Sequence, residues 1–318
     1  MELRTLTAHF QHRWLNATTL LSLVGALVAL FLYFSDSREL LGVPVWEKPL
    51  KFLLSSAFYA ATFSWLYSFV ERGRKLAYWM GNVIGALLAI ELVIIVGLAA
   101  AGLTSHFNVS TPFHIAMWSV MATAISLVWG ATFLLGATLW KSPRMAPDLR
   151  LAVRWALGLG LAGMGIAFTM TSPQPQQILP ENWVGIAGAH TVGAADGGPG
   201  LPFLGWSTEA GDLRISHFLG LHALQVIPLF AIVLTLLMSS YAKRVAAITG
   251  FGVSYGSLVA FTYIQALFGE SIVGRDTVIA AGGIVALGVL VAAVAFWQQK
   301  KPTRNSAVER TPEDAISD

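Results

Sequence analysis

The sequence predicts an all-α, polytopic membrane bundle of about eight transmembrane helices with one long extracytoplasmic loop. Three observations predict it. Apolar residues make up 55% of the chain and charged ones 12%, with a mean hydropathy of +0.65, whereas soluble domains carry about 25% charged residues. Eight apolar runs, 17–34, 50–70, 78–101, 114–139, 151–171, 217–239, 245–268 and 277–297, approach the roughly 20 residues that cross about 30 Å of hydrocarbon. With the amino terminus placed in the cytoplasm, 15 of the 20 Lys and Arg fall on the inner side and each inner segment is basic, the asymmetry that orients inner-membrane proteins. Both termini are therefore expected in the cytoplasm.

Taken in order, the first run follows Arg4 and Arg13, but its apolar core is too long for a signal peptide and no small-residue cleavage site follows it. It reads as an uncleaved span. Span two starts amphipathically in VPVWEKPLKFLLSS, where Pro44 and Pro49 fix the chain's entry, Trp46 is an interfacial anchor, and Glu47 and Lys51 stand at i and i+4. Two readings stay open there: a helix start with snorkelling lysines, or Lys48 or Lys51 at the mouth of a site to meet an anion. Span three carries Glu91 within AIELVIIVG. A charge at that depth costs about 2.5–3.5 kcal/mol on insertion scales, so Glu91 must face the bundle interior, protonated or paired; the structural alternative is a hydrogen bond to a neighbouring helix. GLGLAG at 158–163 matches a dinucleotide fingerprint by letter, yet no strand precedes it. It reads as helix-packing glycine, as do Gly81, Gly85, Gly250, Gly252 and Gly256.

The connectors are short except for 172–216, a length that is uncommon unless functional or disordered. Trp183, Phe203, Leu204 and Trp206 would anchor it at the interface or fold it back over the bundle as a lid. Residues 1–297 form the transmembrane domain. Residues 298–318, charged and Pro-containing, read as a disordered, dispensable cytoplasmic tail.

Polar residues of unusual kind gather between 185 and 228. The absence of cysteine excludes disulfides, iron–sulfur clusters and thiolate zinc, so any metal must sit on imidazole, carboxylate or carbonyl. The net charge of +3 follows from topology and does not point to nucleic acid. His106, His114, His190, His217 and His222 all fall on the outer face, while His9 and His12 accompany Arg13 at the headgroup level. Singly, each histidine is an ordinary polar residue; together they point to a shared cofactor site. His114 and His222 are candidate facing ligands for haem, with Gln225 beside them; His106, His190, His217 and His222 are candidates for a divalent metal. On a regular helix His217 and His222 lie about 140° apart. Both cannot aim at one ion, and His222, which shares a face with Gln225, is the one expected to point inward.

The run Asp196 to Gly200, DGGPG, makes a tight reversal. Two readings stay open there: Asp196 held near His190, six residues earlier, where a carboxylate would orient an imidazole or move a proton, or a loop that merely bends. Asp196, Glu91 and Asp212 are the catalytic candidates. Gln225, Tyr263 and Gln265 complete a polar funnel expected to be lined by spans three, four, six and seven.

SHFNVSTPFH at 105–114, GAHTVGAADGGPGLPFLGWS at 188–207 and GDLRISHFLGLHALQVIP at 211–228 resemble a group of bacterial multi-pass membrane proteins of unassigned activity, over most of spans two to seven. The resemblance implies a bacterial inner-membrane protein and adds no chemistry. The chain is similar to haem A synthase only in span count and histidine face, without a four-plus-four repeat. Two classes follow from the residues: a haem- or metal-dependent membrane oxidoreductase, or a proton-coupled transporter or assembly factor. The lipid bilayer is the partner that both require.

Overall fold

The computed structural model describes residues 10–298. His9 and all of the tail assigned to 298–318 except Gln298, which closes the last helix, lie outside them. The described residues form eight long helices: α1 (Arg13–Ser35), α2 (Glu47–Tyr67), α3 (Arg74–Ala100), α4 (Pro112–Leu139), α5 (Pro147–Met170), α6 (Leu213–Leu237), α7 (Tyr241–Leu267) and α8 (Arg275–Gln298). Seven are long and apolar enough to cross a membrane, so the chain is an all-α membrane bundle. The one that falls short is α2, whose face carries Lys51, Ser55, Ser56 and Tyr59 among its apolar residues.

Each helix begins two to four residues before its apolar run, because capping chemistry extends it past the point where apolarity stops. Thr111 caps α4 by accepting from the His114 amide, with Pro112 in the first turn. Asp212 caps α6 in the same way through the Arg214 amide.

Glycines set the helix spacing. A Cβ on Gly163 would stand 2.6 Å from the Gly220 Cα, so α5 and α6 cross backbone to backbone there, and Gly160 receives Leu224. On α3, Gly81 and Gly85 face His12 and Thr18 of the α1 start; on α7, Gly252 faces Trp155 of α5 and Gly250 faces Ala292 of α8. The core inside this cage includes Phe63, Leu66, Ile84, Leu135, Leu224 and Ile227. Long apolar side chains such as Leu21, Phe31, Val93 and Leu237 stand on the outside, as lipid requires.

Two short antiparallel pairs lie at the face that carries the long connector: β1 (Glu39–Leu40) with β2 (Val43–Pro44), and β3 (Thr191–Val192) with β4 (Gly211–Asp212). Two-residue strands leave no periodic trace in a sequence.

Two expectations need correcting. His12 is not a headgroup residue: it is 0% exposed, caps α1 through the Leu15 amide, contacts the Tyr78 carbonyl at 2.9 Å and packs between the rings of Tyr67 and Tyr78. Trp46 is not a free interfacial anchor either. It is buried and donates its indole N–H to Asp36, the C-cap of α1, at 2.8 Å, tying the start of α2 to the end of α1.

Candidate functional site

A cavity of about 1580 Å³ runs down from the loop face between α2, α3, α4, α5 and α6. Its roof is the β1–β2 turn and residues 188–207 of the long connector, and its deeper wall holds Tyr59, Leu88, Val128 and Met164. Tyr59 lies 12 residues past the start of α2, about 18 Å down at 1.5 Å per residue. The lining differs from the funnel read from the sequence, because α7 packs behind α5 and α6. Gln225, Tyr263 and Gln265 consequently do not line it; Gln225 donates to Thr62 of α2 at 2.9 Å, and Gln265 is buried behind the wall.

The connector 171–212 is built as a fitted cover. It pairs with the 107–109 segment through Val109 to Gly185 and Ala187 to Phe107 backbone bonds, and the Ala189 amide reaches the Met170 carbonyl. Gly188, at φ +116°, is pressed so close to the Met170 carbonyl and the Phe107 ring that no side chain fits. Two cations hold the far half: Lys51 pairs with Glu47 at 2.6 Å and donates to the Leu204 carbonyl at 3.1 Å, and Arg214 donates to the Gly205 carbonyl. Phe203 lies under the Lys51 ammonium.

His190 and Asp196 form the most elaborate polar unit of the roof. The DGGPG reversal brings the Asp196 carboxylate to 2.6 Å from His190 Nδ1, and the same carboxylate accepts the His190 and Thr191 amides and the Thr191 hydroxyl. Burial alone would raise the Asp196 pKa, but the His190 and Thr191 donors hold it well below the usual carboxylate range. Burial pushes the His190 imidazole below its ordinary value, and Asp196 offsets only part of that. An ionised Asp196 and a neutral His190 with its proton on Nδ1 follow, which leaves Nε2 as the basic ring atom.

The other histidines separate by partner. His217, on α6, contacts the Gly163 carbonyl through Nδ1 at 2.7 Å, an acceptor brought within reach by the glycine crossing. His222 turns to Gln225 at 3.2 Å and packs on Phe218. Both rings nevertheless line the cavity, as do His106 and His190. His106 contacts Ser105 through Nδ1 and is walled by Phe52, Phe107 and Trp118. Burial first, and Lys48 next, hold its imidazole well below its ordinary value.

Four histidines therefore meet one space, but they do not form one coordination sphere. Among the described residues no three His, Asp or Glu side chains gather as a metal site; each ring is engaged with a partner of its own, His106 with Ser105, His190 with Asp196, His217 with the Gly163 carbonyl and His222 with Gln225. His114 is not part of the lining. Its Nδ1 is engaged with Thr111 at 2.8 Å at the α4 cap, so the haem pair of His114 with His222 is not brought together across the cavity. Asp212 is also placed elsewhere: its side chain is 0% exposed and its oxygens take the Ser207 amide, the Arg214 amide and the Arg214 guanidinium. It caps a helix and anchors the cover.

Glu91 does face inward. It is 6% exposed, lines the cavity, and its Oε2 has no hydrogen-bond partner. Lys48 and Lys51, which one of the two readings left open for the start of span two set at the mouth of a site, both line the cavity. The lining residues that the sequence reading passed over are Phe52, Ser55 and Tyr59, which continue from Lys48 along α2 every three or four positions. That helical stripe was the available signal. The chain matches no family model, no curated protein and no solved structure.

Proposed function

We propose that the protein is a bacterial cytoplasmic-membrane enzyme that carries out proton-transfer chemistry on a membrane-soluble molecule held in this cavity. The observation that supports it is the His190–Asp196 unit. Asp196 fixes the Nδ1 proton, and His190 Nε2 is left as the base in a half-buried pair that lines the cavity. Glu91 offers a second carboxyl deeper in the same space. The cytoplasmic placement of both termini belongs to this reading and rests on the clustering of Lys and Arg on one side. So does kinship with the bacterial multi-pass proteins that the sequence resembles.

The test compares extractable membrane lipids and quinones from cells that produce the wild type, Asp196→Asn, or no protein. A species whose amount or structure changes with the wild type and not with Asp196→Asn supports the enzyme and identifies its substrate. A species that is only moved between leaflets supports the transporter instead. Identical profiles in all three reject the reading.

One observation favours haem as a second reading. His190 and His217 both have Nδ1 tied to an acceptor and both line the cavity, the anchoring that metal-ligating histidines receive from a supporting shell. A Soret band in the purified protein that is lost in His217→Ala would establish it; a colourless protein from haem-replete cells would remove it.

A further inference from the structure

The cavity's size and its unpaired groups assign a ligand class. At about 1580 Å³ it exceeds the roughly 300–1,000 Å³ of ordinary small-molecule pockets. Most of its depth is apolar, with Leu88, Leu92, Ile95, Met121, Ile125 and Met164 along the walls. Trp129 and Phe168 line it between α4 and α5 and are also 39% and 41% exposed, edge to face on one another, where those two helices touch only sparsely. The roof, in contrast, is tied down by Lys51, Arg214 and the backbone pairing of the cover. Such a container suits a guest that arrives from the bilayer.

The polar end is set by charge. Of the three cations in the lining, Lys51 is paired with Glu47 and Arg214 with Asp212. Among the described residues Lys48 has no ion-pair partner; its ammonium lies 5.8 Å from the Phe52 ring centroid, at the start of a helix whose N-cap, Trp46, supplies no side-chain acceptor. A cation at an uncapped helix start beneath a cover attracts an anion more strongly than it would in water. Below it, the buried Oε2 of Glu91 lacks a partner within the chain and lies within electrostatic reach of Lys48. A buried polar atom without a partner calls for one from a guest.

We propose that the cavity binds a single amphiphile whose head carries a phosphate-type anion at Lys48 and a hydroxyl donor toward Glu91, with its apolar chain running down between α3, α4 and α5. The proposal rests on the cavity reading above and names the substrate class for it.

The experiment measures thermal unfolding of the maltoside-purified full chain with three probes: lauroyl lysophosphatidic acid, lauroyl lysophosphatidylcholine and inorganic phosphate. Lysophosphatidic acid is expected to raise the midpoint by several degrees. Lysophosphatidylcholine, with the same chain and hydroxyl but a zwitterionic head group whose phosphodiester holds a single negative charge beside a quaternary ammonium, gives less than half of that shift, and inorganic phosphate gives none. Lys48→Met removes most of the lysophosphatidic acid shift and Lys48→Arg keeps it. Equal shifts from both lipids would mean an apolar slot only, a shift from inorganic phosphate alone would mean a free-anion site, and an undiminished shift in Lys48→Met would remove the head-group assignment; each overturns the proposal. If Lys48→Met does not fold, the contrast among the three probes and the Lys48→Arg variant still decide it. The readout needs no turnover, so a negative result leaves the acid–base role of His190 and Asp196 to the lipid comparison, and failure there leaves the shift standing.

Discussion

Asp196 is the residue on which the roof depends most, because one carboxylate satisfies two amides, a hydroxyl and a ring nitrogen. Hydrogen bonds to a charged acceptor contribute about 1.5–3 kcal/mol each at most, and Asp196→Asn keeps the shape while discarding the charge. It is expected to lower the unfolding midpoint by several degrees and to speed hydrogen exchange at residues 190–196, read by mass spectrometry; unchanged exchange would mean that the carboxylate holds nothing. The pH dependence has a definite sign. His190 and Asp196 both have pKa values lowered in the folded protein, from 6.5 and 3.8 respectively. Each contribution is complete above the ordinary value and is lost as pH falls below it. Acidification from pH 7.5 through pH 6 and on below pH 4 should therefore loosen the cover in two stages, followed by the same exchange measurement. Loosening on the alkaline side instead would contradict both assignments.

At the scale of elements, α6 carries the most demanding joints. Its start is held by Asp212, whose side chain is fully buried against Arg214. Arg214→Ala leaves that charge without its partner and frees the Gly205 carbonyl, and removing one member of a buried pair costs about 3–5 kcal/mol. A large fall in thermal stability, with proteolytic nicking between 193 and 207, is expected; a variant as resistant as the wild type would show the pair to be dispensable. One turn and a half further on, Gly220 meets Gly163. Gly163→Ala inserts a methyl where there is no room, an overpacking cost of about 1–3 kcal/mol, and pushes away the carbonyl that orients His217. The helices themselves were legible in the sequence because apolarity summed over 20 residues is a strong signal, and their starts were missed by two to four residues because caps such as Thr111 and Asp212 are polar. The hairpin at 39–44 was not legible, since two-residue strands carry no alternation.

Across the whole molecule, the sequence located the site better than it composed it. Histidine, Asp196 and Glu91 stand out in an apolar chain by rarity, and His106, His190, His217, His222 and Glu91 do reach one cavity. Which walls complete it depends on how helices pack, and periodicity within one helix cannot reveal that α2 and α5 replace α7. The partners that decide the chemistry were hidden for a related reason: the Gly163 carbonyl, held by His217, is a backbone atom that any residue carries. Membrane orientation is the remaining whole-molecule property, and it is set by charge. Arg13, Arg72, Arg74, Lys75, Arg144, Arg150 and Arg244 lie at the end of the bundle opposite the cover, and the orientation proposed above follows if that end stays in the cytoplasm, since translocation of basic residues is disfavoured. Because the chain has no cysteine, single thiols report sidedness without background. Ser37→Cys, on the exposed approach to β1, is expected to react in intact cells with a membrane-impermeant maleimide that has crossed the outer envelope. Glu71→Cys, exposed between α2 and α3, should react only after the cytoplasmic face is opened. Labelling in the reverse order would place the cavity and its cover toward the cytoplasm and with them the leaflet from which a ligand enters.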